Sequence, residues 1–172
     1  MNIVLTGFMG SGKSAVGKEL SESLGFEFID TDKLVEDSAG VSIAEIFDKH
    51  GEAVFRQMEA EAVEAVSEKD NAVISCGGGA VLNPKNIEHL GKKGIIINLE
   101  VSAQSVYERI KNDYSRPLLN SNNSLSEIKR LMKEREKAYQ NCDYAVDADN
   151  KTPRQIAKEI IKILDDRKIN GI

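Results

Sequence analysis

Eight residues near the start of the chain, Gly7-Phe8-Met9-Gly10-Ser11-Gly12-Lys13-Ser14, constrain the fold more than any other stretch. They follow the short apolar run Asn2–Leu5 and lead into a segment of helical period from Lys13. Glycines at 7, 10 and 12 let the backbone curl with its N–H groups pointing inward, where a Cβ would clash. A helix starting directly afterwards turns its positive end toward the same space. Read as G-x-x-x-x-G-K-S between a strand and a helix, the stretch is a phosphate-binding loop. Gly10, Ser11, Gly12, Lys13, Ser14 and Ala15 are then expected around a polyphosphate, with the Lys13 ammonium on its outer phosphates and the Ser14 hydroxyl on Mg²⁺. A Gly-rich turn that matches by chance is the alternative, and it leaves the flanking strand and helix unexplained.

The rest of the chain repeats this alternation. Phe26–Ile29, Ala72–Ser75, Ile95–Leu99 and Tyr144–Val146 are short, apolar runs suited to strands covered on both faces. Between them lie helical patterns. In the last, Ile156, Ile160, Ile163 and Leu164 recur at helical spacing after a Thr152-Pro153 start. Strand–helix alternation predicts an α/β fold with right-handed crossovers. The 172 residues suffice for one domain with its own core, and no repeat or linker divides them.

A net charge of −5 argues against a general affinity for nucleic acid or for an anionic membrane surface. Any anionic ligand must therefore meet a local cluster of cations. Cys76 and Cys142 have no metal-type spacing and read as reduced thiols. No apolar run is long enough to span a bilayer, and no signal peptide fits before Asn2–Leu5, so a cytoplasmic location is expected. His50 and His89 are isolated from other ligand types and read as structural or surface residues.

A phosphate loop alone does not separate a kinase from a GTPase switch or an ATPase. The nearest approach to a guanine-reading Asn-Lys-x-Asp is Asn150-Lys151-Thr152-Pro153, where Pro stands in place of Asp. The third strand ends in Ser75-Cys76 and offers no carboxylate for magnesium, whereas the second runs into Asp30-Thr31-Asp32. The polar segment Asn112–Ser124, with Arg116-Pro117 in its middle, is either a plain loop or a lid. Arg56 and Glu59 share a helix face, which by itself fits a surface ion pair. Gly77–Gly79 follows the third strand, and three glycines exceed what a simple turn needs. Arg135 lies within Lys133-Glu134-Arg135-Glu136-Lys137, which locally looks like a solvated helix face.

In their order and spacing, Gly7–Ser14, Asp30-Thr31-Asp32, Phe55-Arg56-Gln57-Met58-Glu59, Gly77–Gly79 and Arg116-Pro117-Leu118-Leu119 resemble the shikimate kinase family over nearly the whole chain. The resemblance implies a three-layer P-loop fold with a five-stranded parallel sheet of order 2-3-1-4-5. It also implies a substrate-binding region over 31–62 and a mobile lid over 112–124. It implies transfer of the ATP γ-phosphoryl group to the 3-hydroxyl of shikimate, on the way to chorismate and aromatic amino acids. Asp30 would be the magnesium-side carboxylate. Asp32 would contact the reacting hydroxyl, where its alternative is to cap the next helix. Arg56 and Arg135 would bind the shikimate carboxylate, Glu59 would orient the substrate, and Gly77–Gly79 would let its ring approach the backbone. Arg116 would reach the transferring phosphoryl group, and Arg109 would pack on adenine. Several relatives carry an arginine where this chain has Lys151, two residues before Pro153, so adenine stacking there departs from the family pattern. A monomer is expected. The rivals are another small-metabolite kinase, such as a gluconate kinase, and a nucleotide-dependent switch that transfers nothing.

Overall fold

The computed structural model describes residues 1–111 and 124–169, the side chains of 168 and 169 excepted. Five strands form one parallel sheet: β1 (Asn2–Thr6), β2 (Glu27–Asp30), β3 (Ala72–Ser75), β4 (Gly94–Glu100) and β5 (Tyr144–Asp147). Their order across the sheet is β2-β3-β1-β4-β5. The central strand β1 pairs Ile3 with Val73 and Ile95, and Leu5 with Ser75 and Ile97. Every strand lies within about two residues of its expected run, and β2 gains Asp30 at its end.

The pleat divides each strand between two cores. Ile3, Leu5, Val73, Ile95, Ile97 and Leu99 face one side, where α1 (Lys13–Leu24) and α7 (Pro153–Ile169) supply Val16, Leu20, Ile156, Ile160 and Leu164. Val4, Ala72, Ile74 and Ile96 face the other. That side is covered by the end of α3 (Ile43–Ser67), by α4 (Pro84–Lys93), by α5 (Ala103–Ile110) and by α6 (Leu125–Tyr139). This sheet with helices on both faces is the expected three-layer architecture. Ile163 is only partly buried against its core.

A third, smaller cluster sits apart from the sheet. Val35 of α2 (Thr31–Ala39) packs with Ile46 and Phe55 of α3, and Phe47 and Met58 lean on them. Within α3, Gly51 takes φ 80° and ψ 171°, which breaks the helix into two arms. A glycine is needed there because side-chain-bearing residues avoid this backbone region.

Five of the α-helix starts follow a common rule. Asp30, Ser42, Asn83, Ser102 and Ser124 each accept a backbone N–H and so cap α2, α3, α4, α5 and α6. At Ser42 the cap is a reciprocal box with Glu45. The start of α1 has no side-chain cap; Gly12 precedes it at φ 97°.

Candidate active site

The phosphate loop crosses the C-terminal end of β1, and the uncapped first turn of α1 opens into a cavity of about 230 Å³. Its walls include Gly10, Gly12, Lys13, Ser14, Ala15, Asp30 and Ser75. Backbone N–H groups at a helix start that lack a side-chain partner are suited to an anion. Gly7, at φ 143°, has no room for a Cβ: the Leu99 carbonyl and Ser11 Oγ lie within 2.8 Å of where it would stand. Lys13 is only 8% exposed, and its Nζ donates to the carbonyls of Gly7 at 2.8 Å and Phe8 at 3.0 Å. Ser14 Oγ donates to Asp30 Oδ2 at 2.6 Å, and Ser75 Oγ lies 3.4 Å from the same hydroxyl. Ser75 had no functional reading from sequence.

The second aspartate behaves differently from its capping alternative. Asp30 is the residue that caps α2, through Oδ1 and the N–H groups of Asp32 and Lys33. Asp32 is left in the first turn, half-buried, facing Gly77 and Glu59. Between them Thr31 is fully buried, and its hydroxyl accepts from Gly77 N–H at 2.9 Å. That bond ties the Asp30–Asp32 turn to the glycine run, a role no sequence signal announced.

Beside the phosphate-loop cavity lies another of about 350 Å³. Asp32, Arg56, Glu59, Gly78, Gly79 and Arg135 line it, with Phe47, Phe55 and Ile43 as its apolar wall. Asp32, Met9 and Gly78 belong to both cavities, so the two adjoin. Arg56 and Glu59 are not a surface pair. Arg56 Nη1 donates to Glu59 Oε2 at 2.7 Å, Glu59 is 2% exposed, and the other edge of the guanidinium holds Glu52. Burial pushes the Glu59 carboxyl above its usual range, against the pull of Arg56. Arg135 is 8% exposed while Lys133, Glu134, Glu136 and Lys137 around it are exposed, so it leaves the solvated face of α6 for the cavity. Glu59 Oε1 and Arg135 Nη1 are buried and make no hydrogen bond within the protein. Native interiors rarely leave such atoms unsatisfied, and a charged pair of them in one cavity suits a ligand with a carboxylate and hydroxyls.

The glycines stand where a side chain would crowd the site. A Cβ on Gly77 would meet Asp32 Oδ1 and Glu59 Oε1, and one on Gly79 would meet the Arg56 guanidinium, with Nη2 2.6 Å and Cζ 2.7 Å away. On Gly78 it would stand 3.2 Å from Met9 N.

Arg109 bridges two loops. It donates to the carbonyls of Gly10 at 2.9 Å and Ala148 at 3.3 Å, joining the phosphate loop to the turn between β5 and α7. Lys151 of that turn is held by Glu159 at 2.7 Å, and Pro153 starts α7. Among the described residues, Gly10, Gly12, Lys13, Ser14, Ala15, Asp30, Asp32, Arg56, Glu59, Gly78, Gly79 and Arg135 thus line the two adjoining cavities, and Arg109 reaches the phosphate loop through Gly10. Arg116 and 112–123 of the expected lid lie outside the described residues; Ser124, at the lid's end, is the cap of α6. His50 is exposed and His89 half-buried, and among the described residues no group of His, Cys, Asp and Glu is arranged to hold a metal.

An uncapped helix behind a phosphate loop, opening beside a cavity with one buried and one half-buried guanidinium, defines a P-loop phosphotransferase of the small-metabolite kinase type. The comparisons narrow this. A family model described as shikimate kinase matches residues 9–165. Shikimate kinase of Caldanaerobacter subterraneus subsp. tengcongensis is 49% identical over 94% of both chains, and that of Caldicellulosiruptor bescii 48% identical over the same shares. The solved structure of Acinetobacter baumannii shikimate kinase in complex with shikimate superposes with a TM-score of 0.93 at 33% identity, covering 97% of this chain and 94% of that one. The chain belongs to the shikimate kinase family. A gluconokinase from Sinorhizobium meliloti, at 19% identity and a TM-score of 0.58, shares the fold alone.

Proposed function

We propose that this chain transfers the γ-phosphoryl group of ATP to the 3-hydroxyl of shikimate, giving shikimate 3-phosphate and ADP, as a cytoplasmic monomer. The observation that carries the reading is the pair of adjoining cavities divided by Asp32, Met9 and Gly78, one at a bare helix start and one with buried, unsatisfied Arg135 and Glu59 atoms. Phosphoryl transfer asks little covalent chemistry of a protein; it needs two oxygens held in line and the developing charge neutralised.

Backbone amides from Gly10 to Ala15 hold the phosphates, and Lys13 exchanges its loop carbonyls for the outer phosphate oxygens. The hydroxyl of Ser14 and the carboxylate of Asp30, already 2.6 Å apart, are hard oxygen donors of the kind Mg²⁺ takes, Asp30 acting through water. Magnesium, when bound with ATP, neutralises charge on the β- and γ-phosphates. Arg56 and Arg135 hold the acceptor's carboxylate, Glu59 orients its ring hydroxyls, and Gly77–Gly79 lets the ring lie against the backbone. Asp32, on the wall between the cavities, takes the hydrogen bond of the reacting hydroxyl and its proton as the new O–P bond forms. Arg109 and Pro153 pack on adenine, with Lys151 beside them. Arg116 reaches the transferring phosphoryl group, and its segment closes to exclude water.

The test is ADP release from MgATP with shikimate, with gluconate and with no acceptor. The reading requires turnover with shikimate that exceeds the other two by orders of magnitude; equal release in all three would overturn it.

A further inference from the structure

Tyr139 is a buried polar residue that the roles above do not use. It is 9% exposed, and its hydroxyl donates to the carbonyl of Gly78 at 2.5 Å. Arg135, one turn earlier on the same face of α6, interacts with the same phenol. The ring meets Phe8 of the phosphate loop edge-on, with centroids 6.4 Å apart and planes at 68°. A phenol oxygen has one proton to give and lone pairs to receive, so this one hydroxyl can serve Gly78 as donor and Arg135 as acceptor together. Gly78 is a wall of both cavities, and Arg135 Nη1 is left buried with nothing to bond inside the protein.

We propose that Tyr139 is a positioning residue, whose hydroxyl fixes the Arg135 guanidinium so that its unsatisfied Nη1 faces an incoming carboxylate, and thereby sets the preference for an acidic over a neutral acceptor. The proposal rests on the reading that Arg135 binds the acceptor's carboxylate. Arginine has several long-chain conformers of similar energy, and a guanidinium anchored at one edge loses less freedom on binding an anion with the other. A phenylalanine would fill the same volume and keep the edge contact with Phe8. It would free the guanidinium to turn and leave the Gly78 carbonyl without its partner.

Steady-state kinetics of the full chain with MgATP test this, with shikimate as acceptor and shikimate methyl ester as a neutral competitor. Tyr139→Phe should raise KM for shikimate about tenfold, leave KM for ATP and kcat within about threefold, and change Ki for the ester less than about twofold. Equal weakening toward acid and ester, or an unchanged KM for shikimate, would show that Tyr139 only bolts α6 to the glycine run. Arg135→Ala separates the two levels. If it weakens acid and ester alike, the carboxylate reading itself fails. If it weakens the acid selectively while Tyr139→Phe does not, the Tyr139 proposal alone fails. Should Tyr139→Phe not fold, 4-aminophenylalanine at position 139 keeps the shape and the donor to Gly78 while its nitrogen is a poor acceptor; it should raise KM for shikimate in the same selective way, and a KM equal to wild type would overturn the proposal.

Discussion

Glu59 is a carboxyl buried beside the Arg56 guanidinium. Burial raises the pKa of its carboxyl above the ordinary 4.5, and Arg56 only partly offsets this. The folded chain thus binds that proton more tightly than the unfolded chain does. Stability from this group is full below pH 4.5 and is lost as pH climbs through the folded value. Compared with Glu59→Gln, which cannot titrate, the wild type should lose relative melting temperature as pH rises above 4.5; parallel melting curves would refute the shift. Gly79→Ala tests the other side of the same cavity. A methyl there drives into the Arg56 guanidinium, and kcat/KM for shikimate should fall by about tenfold or more, about 1.4 kcal/mol, with KM for ATP little changed. The arginine at 135 shows what one-dimensional reading misses. Its charged neighbours suggest a solvated face, yet it is the one member of the run turned inward. Spacing cannot reveal that, because a helix position near the edge of the apolar stripe can go either way. Thr31 and Tyr139 were invisible for another reason: each acts through a single hydroxyl whose partner, Gly77 or Gly78, is distant in sequence.

Among the elements, α1 was legible at once, since its start is written into the Gly7–Ser14 pattern. The break in α3 was not. His50 and Gly51 stand where the spacing of Ile46, Phe47, Val54 and Phe55 would put apolar residues, but it is the backbone angles at Gly51 that show two arms. The break sets the direction from which Phe55, Arg56 and Glu59 reach the cavity. Alanine at 51 meets no atom within 4 Å, so its cost is purely conformational. Gly51→Ala should lower unfolding free energy by about 1–3 kcal/mol in urea titrations. If the chain relieves the strain by straightening α3, KM for shikimate should rise as well. The segment carrying Arg116 makes a kinetic prediction at the same scale: Arg116→Ala should lower kcat by about a hundredfold or more with little change in ATP binding, and unchanged turnover would remove Arg116 from the chemistry.

At the scale of the molecule, the alternation of strands and helices announced the layers, while the strand order came through family resemblance rather than from any residue pattern. The division into three cores was not legible, because membership of a core depends on which faces meet. The small cluster of Val35, Ile46 and Phe55 stands apart from the two that sandwich the sheet. Few buried contacts mean low local stability. Amides of α2 and the first arm of α3 should exchange with solvent faster than those of β1, β3 and β4, and saturating shikimate should slow them selectively. Uniform protection across both regions would contradict the separation.

The two cavities also differ in how much of the chain must exist before they do. The walls around the phosphate loop come from residues 9 to 78, whereas the neighbouring cavity needs Arg135 as well. On a ribosome, where the chain emerges from its N-terminus, every wall residue around the donor's phosphates is made well before the acceptor's cavity is complete. A nascent polypeptide halted ahead of α6 would carry the residues that grip a triphosphate and still lack one of the two cations meant for the acid.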